Sequence, residues 1–326
     1  MYVISRRIGF YIVTAIAAVT VDFLIPRVIP GNPVSAVLAH AQGQVVTPAT
    51  VRALELQFGS NTREGTWGQY VHYWSGLFHG NLGISTSNGL APVTSVIRDA
   101  LPWTLGLVGT ATVISFVIGT LLGVLVAWRR GSWLDNLLPA TTFFQAAPYF
   151  FLAFLAIDVF ALKLGWFPPG SARNNLDFPG LNWTYISDVL DHAVLPALTI
   201  VVASAAGWIV GMRNVMITTM DEDYVLVAQA KGLPKHRVIW YAARNAILPS
   251  ISGFSLAIGF VVSGALLTEI VFSYPGLGFI LLSAVQDGDY ALLQGIFLVI
   301  TMAVLVANLA ADFVYVFLDP RTRREA

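Results

Sequence analysis

Cysteine is absent from the 326-residue chain, which excludes disulfide frameworks, thiolate nucleophiles and cysteine-based metal sites together. Charge is scarce. Asp, Glu, Lys and Arg make up 11% of the residues, against about 25% in soluble globular chains. So few ionisable groups do not cover a water-facing surface. The formal net charge is zero, with 18 basic and 18 acidic residues. No long basic run occurs, so a nucleic-acid footprint is not supported. No Gly-Lys pair exists, hence no G-x-x-x-x-G-K phosphate loop. H-E-x-x-H and G-x-S-x-G motifs are missing too, and His40, His72, His79, His192 and His236 are scattered. This inventory argues against an enzyme, catalytic residues and a resident cofactor or metal. No internal repeat is found, which counts against an inverted-repeat carrier.

What the chain has is apolar length. Hydrophobic residues make up 56%, and the mean hydropathy is +0.71. A hydrocarbon core about 30 Å thick takes roughly 20 apolar residues as helix. Six stretches qualify: Ile8–Ile29, Pro102–Trp128, Asn136–Leu162, Ala193–Met212, Ala246–Thr268 and Tyr290–Ala311. Backbone groups in lipid must be paired internally, so each is read as a helix. The expectation is an all-α, polytopic membrane protein with six transmembrane helices. The first stretch is interrupted by Asp22, Pro26 and Arg27. It runs longer than a signal peptide and shows no small-residue cleavage site, so it is read as a retained span.

The basic residues divide unevenly between the two sets of connections. Twelve fall on one side, including Arg6, Arg7, Arg129, Arg130, Arg213, Lys231, Lys235, Arg237, Arg244 and the Arg321–Arg324 tail, against six on the other. The positive-inside rule puts the twelve, and with them both termini, in the cytoplasm. The chain then divides into an N-terminal span and extracytoplasmic loop region, 1–101, and a five-span core, 102–326. An outer segment, Gly165–Asp191, reads as an ordered loop. Trp67, Trp74, Trp103, Trp166 and Trp183 read as an aromatic belt near the outer boundary.

The inner connection within 213–249 is too long to be a mere turn. Asp221, Glu222 and Asp223 open a helix, where the dipole favours negative charge. Good helix formers continue to Ala230, and Gly232 supplies a stop. Pro234 stands where a second helix starts, and Pro249 opens the fifth span. The pattern predicts helix, sharp turn, helix along the cytoplasmic surface. From these residues alone it is either an interfacial hairpin that connects spans or a docking element for a cytoplasmic partner.

Asp223-Tyr224-Val225, Ala228-Gln229-Ala230-Lys231-Gly232-Leu233 and Arg244-Asn245-Ala246-Ile247-Leu248-Pro249 resemble the cytoplasmic EAA loop of bacterial ABC-importer permeases of the peptide, nickel and oligosaccharide group. The resemblance extends over most of the chain. It takes in Leu24–Pro33, Gly76–Gly83, Glu269–Gly278, and Asn308 and Asp312 with Leu318–Arg321. Two departures stand out. Asn81 takes a place where Asp is common, and the glutamate that names the loop is missing beside Ala228, where Leu226, Val227 and Gln229 stand.

The resemblance implies an ABC importer type I permease fold in a bacterial inner membrane. It implies a core of two related permease subunits, two cytoplasmic ATPases that bind the ATP and Mg, and an extracytoplasmic solute-binding protein. Ala228, Ala230, Lys231, Gly232, Leu233 and Pro234 would then lie at the ATPase contact. The cargo would be an oligopeptide or an oligosaccharide, with the sequence leaning to the latter. The alternative is a stand-alone channel or secondary carrier.

Acids inside spans are costly and often functional. Asp22, Asp158 and Glu269 are therefore pathway candidates. Asp158 has an interfacial alternative near Lys163, and Glu269 an alternative in holding the Ser273-Tyr274-Pro275-Gly276 turn. Gly119-x-x-x-Gly123 and Gly207-x-x-x-Gly211 are read as helix-packing positions.

Overall fold

The computed structural model describes residues 2–28, 47–49, 51–52, 65–133, 135–137, 143–174, 180, 182–261 and 265–318. Among these the chain is helical, with one isolated antiparallel bridge between Ile84 and Pro92. In chain order the helices are α1 (Tyr2–Val28), α2 (Thr66–Phe78), α3 (Val93–Trp128), α4 (Tyr149–Ala156), α5 (Trp183–Met220), α6 (Asp223–Ala230), α7 (Lys235–Gly259), α8 (Leu266–Val271), α9 (Leu277–Gln286) and α10 (Tyr290–Leu318). Residues 29–33 of the first-span motif and the Arg321–Arg324 tail lie outside the described residues.

Four helices among the described residues are long and apolar enough to cross a bilayer: Arg7–Ile25, Val93–Trp128, Trp183–Met220 and Tyr290–Phe313. The other two expected spans, Asn136–Leu162 and Ala246–Thr268, each include residues outside the described set. Three boundaries need correction. α1 runs unbroken through Asp22, Pro26 and Arg27, as expected of a segment that crosses a bilayer and must pair its backbone internally. The stretch read as an outer loop is helical from Trp183 onward, since Asn182 caps α5 by accepting from the Tyr185 N–H at 2.7 Å. Pro249 does not begin a helix but lies inside α7.

α3 contains a wider, π-helical turn at Leu105–Gly109. Pro102, a few residues before it, withholds one N–H from the ladder. α4 likewise continues into a π-helical stretch, Ile157–Lys163.

The chain forms two compact units, Met1–Thr104 with Pro275–Val306, and Leu105–Tyr274 with Ala307–Ala326. In the first, Phe23 on α1 packs edge-on against Tyr70 of α2, with ring centres 5.1 Å apart. Asp22 is buried. It accepts from the Tyr73 hydroxyl at 2.9 Å, while its backbone carbonyl accepts from Gln294 of α10 at 2.7 Å. Three helices are thereby tied at one point, which gives this in-span acid a structural partner set.

In the second unit, α3 and α5 lie side by side at backbone distance. A Cβ on Gly119 would stand 2.5 Å from Trp208 Cβ and 2.9 Å from the Ala205 carbonyl oxygen. One on Gly123 would stand 2.7 Å from Met212 Cβ. This GxxxG pair is a packing surface, as expected. The other is not. Gly211 faces open space, and Gly207 lies against the side-chain amide of Gln145.

Candidate functional site

The expected hairpin is present between Glu222 and Gly259, in the second unit. Glu222 stands at the N-cap position of α6 without a side-chain capping bond, and Asp223 lies in the first turn, so one of the three acids opens the helix and two precede it. The helix ends in paired bonds. Gly232 N–H donates to the Gln229 carbonyl at 2.9 Å and Leu233 N–H to that of Ala228 at 3.3 Å. This closure requires a left-handed residue, and Gly232 supplies it with φ +74°. Pro234 then caps α7 from an extended conformation.

The hairpin has two distinct sides. Val225 of α6 and Val238, Ala242 and Ala246 of α7 are buried in one cluster with Ala127 at the end of α3 and Met212 and Met216 of α5. The hairpin is thus seated on the ends of the two longest apolar helices. Its other side shows Tyr224, Leu226, Val227, Trp240 and Tyr241 to the surroundings, Trp240 at 69%. Of the residues singled out from the loop motif, Ala228 and Leu233 are half-buried, and Ala230, Lys231, Gly232 and Pro234 are exposed around the bend. A Cβ on Gly232 would meet nothing within 4 Å.

Beside the hairpin lies a clamp that the sequence reading missed. Arg213 of α5 donates from Nε and Nη2 to Asp135 Oδ1, at 2.9 and 2.6 Å. The other oxygen of Asp135 accepts from the Gly131 N–H at 3.1 Å. One carboxylate therefore ties the Arg129-Arg130-Gly131 turn to α5. The Gly131 N–H first, and the Arg213 guanidinium second, hold its pKa below the ordinary 3.8. A depressed carboxyl contributes stability above its unfolded pKa and loses it as pH falls through the lower folded value, so the clamp is intact throughout the neutral range. Arg213→Ala is expected to release the turn. The check is tryptic cleavage after Arg129 and Arg130 in detergent, expected several-fold faster than in the parent; unchanged rates would deny the clamp.

Asp158 and Glu269 lie on elements other than the hairpin. Asp158 is half-exposed and pairs with Lys163 at 2.6 Å, on the π-helical continuation of α4. Glu269 is fully buried in α8. The turn after it is held by its backbone, whose carbonyl accepts from the Tyr274 N–H at 2.8 Å. Burial, with Glu269 nearby, raises the Tyr274 hydroxyl pKa to about 12. The segment Gly170–Ala172 packs onto the same turn, with Ser171 N–H donating to the Phe272 carbonyl at 2.7 Å.

Asp289, also missed from the sequence, is a densely bonded carboxylate of the first unit. Its Oδ2 accepts from Ser85 Oγ at 2.6 Å, Thr86 N at 2.8 Å, Ser87 N at 3.0 Å and Ser87 Oγ at 2.9 Å. Its Oδ1 accepts from Leu292 N at 3.0 Å and so caps α10. The Asp287-Gly288-Asp289 run before a long apolar stretch was the readable signal for that cap. Among the described residues no cluster of His, Asp and Glu could hold a metal ion.

Residues 119–324 match the protein family described as the binding-protein-dependent transport system inner membrane component. Relatives span nearly the whole chain. The protein named Probable D,D-dipeptide transport system permease protein DdpB of Escherichia coli strain K12 is 33% identical, covering 98% of this chain and 97% of its own. The oligopeptide transport system permease protein AppB of Bacillus subtilis strain 168 is 30% identical, covering 98% of each. The dipeptide transport system permease protein DppB of Escherichia coli strain K12 is 31% identical, covering 99% and 98%.

Proposed function

Because the chain belongs to the family of binding-protein-dependent transport system inner membrane components, we propose that it is one permease subunit of an ATP-driven importer of short peptides. It works with a second, related permease, two cytoplasmic ATPases and an extracytoplasmic solute-binding protein. ATP and Mg belong to the ATPases, and this chain contributes no catalytic group. The relatives' names, each a dipeptide or oligopeptide permease, support peptides over oligosaccharides. Six spans are read from the apolar lengths and both cytoplasmic termini from the positive-inside rule, with the N-terminal span and extracytoplasmic loop region 1–101 preceding the five-span core 102–326.

The observation that carries the coupling role is the two-sidedness of the hairpin. Its buried side shares one apolar cluster with the ends of α3 and α5, while the side around Tyr224, Val227 and Trp240 is open. An ATPase that grips Ala228, Ala230, Lys231, Gly232, Leu233 and Pro234 and closes on ATP pushes the hairpin against those helix ends. The helices then tilt as rigid bodies between outward- and inward-facing states. Asp158 and Glu269 are assigned a supporting role in that second unit, Asp158 through Lys163 and Glu269 through the turn it begins.

The test is transport per ATP hydrolysed in vesicles carrying the whole importer. Gly232→Trp fills the open space at the bend and forces a side chain into left-handed backbone, which costs about 1–2 kcal/mol. Membrane levels are expected to hold, with uptake lost while ATP hydrolysis persists. Gly232→Asn, which tolerates that backbone, keeps coupling. Normal uptake by the Trp variant would remove the docking role, and peptide flux without ATP would favour a stand-alone channel or carrier.

A further inference from the structure

We propose that a cavity within the second unit receives the transported peptide through its amide groups, and that it is built to be indifferent to side-chain charge; this rests on the importer reading above. The cavity holds about 470 Å³, within the roughly 300–1,000 Å³ of ligand-sized sites. Its walls come from α3 and α5, two helices long enough to cross the bilayer, from Ala257 of α7 with Phe260, Val261 and Ala265 beyond it, and from Tyr149 of α4 and the nearby Gln145. Polar groups at that depth are costly unless they are used.

The chemistry of the lining is specific. It includes Thr112, Ser115, Gln145, Tyr149 and Ser204, and among the described residues it has no Asp, Glu, Lys, Arg or His. Gln145 offers two N–H donors and a carbonyl acceptor, the complement of a peptide group's C=O and N–H. The hydroxyls of Tyr149 and Ser204 stand 3.3 Å apart, each with hydrogen-bonding capacity beyond that contact. Gly207 is what lets Gln145 lie against α5, since a Cβ there would come within 3.3 Å of Gln145 Nε2. Trp208 forms a fixed apolar wall, its ring edge-on to Phe116 at 5.1 Å, and Phe116 stacks on Phe254 at 4.2 Å. Such a site grips the feature all peptides share. A fixed charge in it would attract side chains of one sign and repel those of the other, whereas a neutral, water-accessible lining leaves a charged side chain its hydration.

The experiment follows uptake by the reconstituted importer of trialanine and its counterparts with a central lysine or a central glutamate, each supplied on saturated binding protein. The parent is expected to move the three at rates within about threefold of one another. Ser204→Asp should favour the lysine peptide over the glutamate peptide by about tenfold, and Ser204→Lys should reverse that preference. A common loss in both variants, or an unaltered ratio, would overturn the site. Ser204→Cys adds a second readout, as the only cysteine in this chain. Its labelling by a neutral maleimide should slow several-fold when trialanine is present during turnover, and absence of protection would also overturn the site. A parent importer that moves glucans but no peptide, or moves peptide without ATP, would sink the importer reading itself. Peptide uptake with unaltered preference would sink this inference alone.

Discussion

Asp289→Ala is expected to destabilise the protein by about 3–5 kcal/mol, because it strands several hydrogen-bond donors that are worth about 1–3 kcal/mol each when left unpaired in a buried place. Asp289 is 1% exposed, and so is part of the core. Its backbone N–H closes α9 by donating to the Ala284 carbonyl at 2.8 Å. Its carboxylate opens α10 through Leu292 and holds Ser85, Thr86 and Ser87. Alanine keeps the first bond and deletes all the others. Ser85 is itself fully buried, so its hydroxyl is not rescued by water. The expected readout is a lower thermal unfolding midpoint in detergent, together with much faster hydrogen exchange at the Thr86 and Ser87 amides. Asp289→Asn keeps one acceptor oxygen, but its NH2 group opposes the remaining donors, so an intermediate loss is expected. Unaltered exchange at Thr86 and Ser87 in the alanine variant would show that the loop is held by something else.

The second large effect concerns α3 against α5. Gly119→Leu or Gly123→Leu must push the two helices apart, since even a Cβ would stand 2.8 Å or so from the Ile209 carbonyl at Gly123. Overpacking a fitted interface costs about 1–3 kcal/mol for small additions and more for a whole side chain. The neighbour is backbone here, so no rotamer change relieves it. The expected result is loss of the folded subunit from the membrane fraction, with Gly119→Ala and Gly123→Ala giving milder losses of thermal stability. Gly211→Ala is the internal control. Nothing stands within 4 Å of a Cβ there, and alanine is the better helix former by about 0.8–1 kcal/mol, so a small gain is expected. Equal tolerance at Gly123 and Gly211 would refute the close packing.

That contrast also shows where a one-dimensional reading runs out. Two identical spacings, Gly119/Gly123 and Gly207/Gly211, carry the same local information, and only the neighbour's identity separates a helix contact from a vacancy beside Gln145. The hairpin, by contrast, was legible almost to the residue. Its stop at Gly232 and its restart after Pro234 are decided by backbone conformation within a few residues. The helix Trp183 to Asp191 was read as loop because Trp183-Thr184-Tyr185-Ile186-Ser187-Asp188 has weak helical preference, and the Asn182 cap outweighed it. Asp135 and Asp289 were passed over because attention to acids went to the spans. Each acts through partners more than seventy positions away, Arg213 for the one and Ser85 for the other, and such pairings leave no periodic trace. The charge-free character of the cavity follows from the same scarcity of charge noted at the outset, but its location required α3 and α5 to be brought together.

The seat of the hairpin has one further consequence. The fully buried centre of its fixed half is Ala127, Met212 and Met216, with Val124, Val215 and Ile217 packed partly buried around it. Thioether chains are unbranched and change shape at little cost, and alanine has no rotamer to lose. A centre of that composition accommodates small changes in the angle of the hairpin at little packing cost.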